Sequence, residues 1–283
     1  MPLDQIDVDY EDEPKSKEMP LVEHIEELRG HIVRSVIAVF VLGIGAFLMK
    51  SFIFGTVIFG PIHDWFLTYR GFCWLSRNIV GDESMCIHIG DVDLQNTQMT
   101  GQFMTHLEVS VWTGVILSFP YIVWEFWRFI KPGLSRREIS YTQGIVFFTS
   151  LLFFLGVLFG YFLLVPTAVQ FLVNYQVDPS VANRIDISNY ISFMVGMVFT
   201  CGIVFELPMM VYFLSKLGLL TPAIMRSSRR YAVVILVIVA AVVTPGSDLG
   251  SLVLVFMPLY MLYEVSIFVS ARVERDREQQ GLA

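Results

Sequence analysis

The chain has 283 residues, of which 55% are apolar and 16% charged, and its mean hydropathy of +0.63 excludes an ordinary soluble domain. The net charge of −7 gives no support for nucleic-acid binding. We therefore predict an all-α integral membrane protein in which six apolar segments cross the lipid bilayer as helices. These segments are residues 32–49, 109–130, 145–165, 191–214, 231–243 and 249–269.

The chain begins with an acidic tail, residues 1–20, that we expect to be disordered and cytoplasmic. The tail lacks the basic region and the cleavage site of a removable signal peptide, so we expect the first span to be retained as an anchor. A short amphipathic helix follows, because Leu21, Ile25 and Leu28 fall on one helical face. Within it, Glu27 has no Lys or Arg at helical spacing.

The first outside loop, residues 55–108, is expected to pack as a cap on the six-span membrane domain of residues 21–270. Cys73 and Cys86 lie in this loop, where an oxidising compartment permits a disulfide. Because spacing does not establish geometry, a bridge and two free thiols both remain open. Cys201 is expected to be a small buried apolar residue in the fourth span.

The second span ends in an aromatic and basic belt that contains Trp124, Trp127 and Arg128. Glu138 follows in the next short loop, and its helical neighbours also offer no basic side chain. Two such carboxylates on one membrane face, Glu27 and Glu138, are either solvated surface groups or acceptors for an external cation. Guanidinium matches a carboxylate best, since it forms two parallel hydrogen bonds.

Glu206 is the one charged residue in the apolar run of residues 191–214, near the expected bilayer midplane. It is either a protonated carboxyl group with a local hydroxyl or backbone partner, or a group used in transport. Pro166 is expected to end the third span, and Pro208 predicts a break in the fourth helix beside Glu206.

The last two spans are predicted to be short, and a charged cytoplasmic tail, residues 271–283, follows them. Residues 231–243 would make a helix about 20 Å long, which is less than the hydrocarbon core of about 30 Å. Asp248 in the connecting turn is placed to cap the sixth span.

The distribution of Lys and Arg predicts that both termini are cytoplasmic. With that orientation, 15 of the 19 basic residues lie inside, as the positive-inside rule requires. The four outside are Lys50, Arg70, Arg77 and Arg184. The sequence shows no histidine cluster typical of a metal site, no phosphate-binding loop and no nucleophile–base pair, so we expect neither an enzyme nor a cofactor.

Several motifs, in register from about residue 20 to 270, resemble the TatC family, the polytopic signal-peptide receptor of the twin-arginine protein translocase. The motifs are HIEELR at 24–29, FIKP at 129–132 with Pro120 before it and Glu138 after it, FELP at 205–208, and TP at 244–245 with Asp248.

The resemblance implies a cupped six-helix bundle in the cell inner membrane, with short final helices. It implies that Glu27 and Glu138 contact the twin-arginine motif of signal peptides on folded cargo, on the face that also carries Arg29 and Phe129. It further implies that Glu206 contacts a partner helix inside the membrane. Single-span TatA- and TatB-type proteins, and further copies of the chain in a larger complex, would be the partners for proton-motive-force-driven export. Pro61 and Asp248 match other family positions.

The chain departs from the family pattern at some positions. His31 stands where a second arginine is common, Leu252 stands where many members have glutamine, and the acidic tail has no counterpart. The alternative function is a secondary transporter that uses Glu206. We see no inverted repeat and no second intramembrane acid paired with Glu206, so the sequence favours the translocase subunit. A purely structural membrane scaffold is a third possibility, and it predicts no role for Glu27 or Glu138.

Overall fold

Helices dominate the part of the chain that the computed structural model describes, namely residues 21–81, 86, 93–131, 144–178, 180, 183–243 and 249–279. They are α1 (Leu21–Leu48), α2 (Lys50–Phe52), α3 (Leu67–Leu75), α4 (Gly101–Ile130), α5 (Ile145–Phe159), α6 (Val165–Asn174), α7 (Ile187–Val204), α8 (Leu207–Lys216), α9 (Pro222–Ser227), α10 (Arg229–Val243) and α11 (Leu249–Gln279). Short π-helical segments join some of them, at Ile53–Ile58, Ser76–Val80 and Gly160–Leu164, and Gly60–Ile62 forms one 3₁₀ turn. The predicted all-α class is confirmed.

Five helical segments in the described residues are long and apolar enough to cross a membrane. They are Glu26–Leu48, Gly101–Ile130, Ile145–Asn174, Ile187–Lys216 and Leu252–Arg277. The remaining predicted span forms α10, which has only 15 residues. Many large apolar side chains, such as Phe40, Phe147 and Ile238, are exposed on these helices. An apolar surface of this extent is typical of contact with lipid.

Two predicted helix ends are wrong. The last helix is not short, because α11 runs for 31 residues and its charged end continues the apolar segment without a break. Arg and Glu are strong helix formers, so charge alone does not end a helix. Pro166 does not end the third span either. It lies in the first turn of α6, where proline is tolerated, and the helical path continues to Asn174.

The crossing of α1 and α4 depends on glycine. The two helices run antiparallel, with His31 beside Glu125 at one end and the ring of Phe47 stacked on His106 at the other. A Cβ atom on Gly114 would lie 2.6 Å from the carbonyl oxygen of Val39, so the backbones approach too closely for any side chain. Small residues at such crossings are typical of helix packing in membranes.

A glycine also allows α5 and α7 to pack closely. A Cβ atom on Gly156 would lie 2.6 Å from the carbonyl oxygen of Cys201. The core lies between α4, α5, α6 and α7, where Val109, Phe153 and Ile191 are buried. Close backbone contact at this crossing packs α5 against the part of α7 that precedes Glu206.

The first outside loop packs against the end of the third span. Tyr69 on α3 is buried and donates its hydroxyl hydrogen to the carbonyl oxygens of Pro61, at 2.6 Å, and of Pro166, at 3.3 Å. Cys73 at the end of α3 forms a disulfide with Cys86. A carbonyl oxygen has two lone pairs, so it can accept the Tyr69 hydroxyl in addition to any backbone N–H.

A small parallel strand pair connects this loop to α7. Strand β1 (Leu94–Gln95) pairs with β2 (Ile185–Asp186), with Leu94 opposite Ile185. The Asp186 carboxylate accepts hydrogen bonds from the Thr97 hydroxyl at 2.6 Å and from the Ser188 backbone N–H at 2.9 Å, so it also caps α7. The hydroxyl of Thr97 and these backbone donors lower the pKa of Asp186 to about 2.

Candidate functional site

A buried charged cluster lies where the first half of α1 meets the last turns of α4. Its centre is Glu125, which is 1% exposed. One carboxylate oxygen of Glu125 accepts from the Tyr121 hydroxyl at 2.9 Å and lies 3.3 Å from Nε of Arg34, and the other contacts Nδ1 of His31. We call His31, Arg34, Tyr121 and Glu125 the Glu125 cluster.

The Glu125 cluster satisfies the requirement that a buried charge be paired and hydrogen-bonded. Arg34 supplies the compensating positive charge, and its side chain is half exposed, so the guanidinium reaches the carboxylate from the surface. His31 is buried and needs only a neutral N–H to donate to Glu125. The cluster therefore fixes the rotation of α1 against α4 at this end of the bundle.

Two of the predicted recognition residues lie one helical turn beyond this cluster, toward the ends of the two helices. Glu27 precedes His31 by four residues and is half-buried, so it shares a helical face with His31. Phe129 follows Glu125 by four residues, and its ring packs edge to face with His31 at 6.1 Å between centroids. His31 thus contacts Phe129 and lies on the helical face that carries Glu27.

The Glu27 carboxylate has no hydrogen-bond or ion-pair partner within the described residues. Arg29, two residues later, is exposed and equally unpartnered in that part of the chain. Glu138 and Asp248 lie outside the described residues. A free carboxylate on a helix that is fixed in rotation is suited to binding a cation that approaches from solvent.

Glu206 lies at a break in the fourth span, as Pro208 predicted. Helix α7 ends at Val204, Phe205 and Glu206 form a turn, and α8 begins with Pro208 in its first turn. The side chain is 8% exposed, and its Oε1 is a buried oxygen with no hydrogen-bond partner among the described residues. An unsatisfied carboxyl oxygen in such a position is costly.

Glu206 lines an open groove of about 390 Å³ that is otherwise mostly apolar. Side chains of α4, α5 and α8 form its walls, among them Phe126, Thr149, Met210 and Phe213. The groove therefore combines a hydrophobic surface with one carboxyl group inside the membrane-spanning region. A helix with one polar side chain would satisfy that group.

The two other predicted positions that the structure describes, Pro61 and Pro120, belong to turns and helices of the fold. Pro61 is buried in the 3₁₀ turn beneath Tyr69. Pro120 lies inside α4, which continues through it to Ile130.

Sequence reasoning missed Glu125, although a signal was present. It is a carboxylate inside the apolar run of residues 109–130, and the same cost that drew attention to Glu206 applies to it. It is also a second acid within a predicted span, but it pairs with His31 and Arg34 rather than with Glu206. The aromatic and basic residues around it gave the appearance of an interfacial belt.

Comparison with known proteins gives consistent results. A family model described as TatC, Sec-independent protein translocase protein, matches residues 23–258. The TatC protein of Blattabacterium sp. subsp. Periplaneta americana is 40% identical over 268 residues, which cover 93% of this chain and 99% of that protein. That of Carboxydothermus hydrogenoformans is 33% identical and covers 94% and 98%.

A solved structure also matches. The crystal structure of the twin-arginine translocase receptor TatC superposes with a TM-score of 0.64 at 30% identity, and the match covers 89% of this chain and all of that one (100%).

Proposed function

Because this chain belongs to the TatC family of Sec-independent protein translocase proteins, we propose that it binds the twin-arginine signal peptides of folded proteins at the cytoplasmic face of the inner membrane. In this proposal Glu27 and Glu138 accept the two guanidinium groups, and Arg29 and Phe129 line the same face. Both termini are cytoplasmic, and the chain associates with further copies and with single-span TatA- and TatB-type partners to export cargo with the proton-motive force.

The observation that carries the proposal is the Glu27 carboxylate, which has no partner among the described residues and lies one turn from the packed contact of α1 with α4. Arg34 forms an ion pair with Glu125, so this arginine does not neutralise Glu27. Phe129 packs on His31 and presents an apolar ring at the same end of the two helices. This arrangement suits a peptide in which arginine is followed by an apolar segment.

The secondary transporter is not favoured. A coupling site built on Glu206 would need a second titratable group near it. Two further acids lie in the predicted spans that we describe, and both have partners: Glu125 contacts Arg34 and His31, and Glu264 contacts Arg229 and Tyr260.

Copurification tests the receptor function directly. The full-length chain is expressed with a reporter whose signal peptide carries Arg-Arg, and in parallel with one that carries Lys-Lys. We expect retention of the first and at least about tenfold less of the second, because lysine does not form the bidentate pair. Equal retention of the two reporters would contradict the proposed arginine recognition.

We also propose that the groove at Glu206 receives the membrane helix of a TatA- or TatB-type partner. Met210 lines the groove and is exposed, so Met210→Cys is expected to crosslink to a cysteine in that helix. Adding Glu206→Ala should lower the yield at least about fivefold, because the polar contact is lost. Ile238→Cys on α10, equally exposed but outside the groove, is the control. Crosslinking at Met210→Cys that Glu206→Ala leaves unchanged would contradict a role for the carboxyl group.

A further inference from the structure

A second pocket of about 380 Å³ lies between α9, the start of α10 and the second half of α11. Its lining is unusual because four guanidinium groups surround it, together with one carboxylate and an exposed aromatic ring. The charged lining residues are Arg226, Arg229, Arg272, Arg275 and Glu264, and the ring is that of Phe268. We call this site the arginine pocket.

The single carboxylate of the arginine pocket already has two partners. Glu264 accepts from Nη2 of Arg229 at 2.7 Å and from the Tyr260 hydroxyl at 3.0 Å. The other three arginines have no hydrogen-bond or ion-pair partner among the described residues. The pocket therefore holds an excess of three positive charges at close quarters, and an anion would relieve their mutual repulsion.

The helical face of α11 that carries the pocket continues as an apolar strip. Met257, Met261, Glu264 and Phe268 follow one another at spacings of four, three and four residues, and Arg272 comes four residues later. Met261 is 63% exposed and Phe268 is 69% exposed. All of them belong to the apolar helical segment Leu252–Arg277, so the strip runs from the charged end of this segment into the membrane.

We propose that the arginine pocket binds the headgroup phosphate of an anionic phospholipid, whose acyl chain lies along the strip of Met257, Met261 and Phe268. Guanidinium groups bind phosphate oxygens through paired hydrogen bonds. Basic pockets at the membrane end of transmembrane helices are suited to anionic headgroups. A free phosphate shares the headgroup chemistry, but it would leave the exposed apolar strip without an occupant.

Lipid retention by the purified full-length protein tests the proposal. The protein in detergent is loaded with phosphatidylglycerol or with phosphatidylcholine of the same acyl chains, and bound lipid is counted by native mass spectrometry. We expect preferential retention of phosphatidylglycerol. Arg226→Gln with Arg272→Gln should reduce it about 25-fold, since the hydrogen bonds of each guanidinium to the phosphate are expected to contribute about fivefold.

Arg128→Gln with Arg230→Gln is the matched control. These two arginines lie outside the pocket, with their guanidinium groups over the rings of Trp124 and Tyr231, both at 4.9 Å. The control removes the same charge and should change retention less than about twofold. An equal loss in both double variants would overturn the pocket, because general surface charge would then explain the binding.

Two further arms distinguish the remaining outcomes. Arg226→Lys with Arg272→Lys keeps the charge and the fold but removes the paired geometry, and we expect an intermediate loss of about fivefold. Glycerol 3-phosphate at the lipid concentration should not displace the lipid. Complete displacement would overturn the lipid assignment in favour of a soluble phosphate, and unchanged retention in the Gln variants would overturn the site itself.

Discussion

Replacing Glu27 and Glu138 together by alanine is expected to abolish retention of a twin-arginine signal peptide while the protein still folds. Hydrogen bonds to charged groups contribute about 1.5 kcal/mol or more each. Losing one guanidinium contact at each position therefore weakens binding by about 3 kcal/mol, or more than about 100-fold. Site-specific crosslinking of a signal peptide to the full-length chain in membranes measures the effect.

The single variants and a neighbouring glutamate provide the controls. Glu27→Ala and Glu138→Ala alone should each cost about tenfold, because one guanidinium contact remains. Glu26 is adjacent to Glu27 but more exposed and on another helical face, so Glu26→Ala should leave crosslinking unchanged. Undiminished crosslinking in the double variant would refute the assignment of these two carboxylates.

Replacing Glu125 by alanine is expected to be the most destabilising single change in the Glu125 cluster. It leaves the buried His31 without its acceptor and removes the partner of Arg34. Breaking a buried ion pair by removing one member costs about 3–5 kcal/mol. Thermal unfolding of the purified protein in detergent should show a clear decrease in Tm for Glu125→Ala.

Two comparisons identify the cause of that loss. Glu125→Gln keeps the side-chain volume and an acceptor for the Tyr121 hydroxyl, so its effect should be less than half as large. Glu264→Ala removes a half-buried carboxylate from a pair with an exposed arginine and should cost about 1 kcal/mol or less. If Glu125→Ala and Glu264→Ala lowered the Tm equally, the buried cluster would have no special contribution.

The cluster also accounts for the burial of His31. His31 faces a carboxylate in the protein interior and donates to it at short range. Histidine suits this position because its ring N–H can donate to a buried carboxylate.

The all-α membrane class and the family could be predicted from the sequence, because both depend on local patterns. Long apolar runs favour membrane helices wherever they occur, and several motifs kept in order across the chain identify the TatC family. The break beside Glu206 was also predictable, since proline removes a helical hydrogen bond at a known place. The prediction that Pro166 ends the third span was wrong, because proline is also tolerated in the first turn of a helix.

By itself, the sequence determined that this protein is a helical membrane protein of the TatC family and that Glu27 and Glu206 are exceptional carboxylates. Only the tertiary structure decided which carboxylates of the described residues have side-chain partners. Glu125 meets His31 across 94 residues of sequence, and Asp186 meets Thr97 across 89, in each case because two elements distant in sequence pack together. Contacts of this kind depend on helix crossing at glycines such as Gly114, and the spacing of charges along one helix contains no information about them.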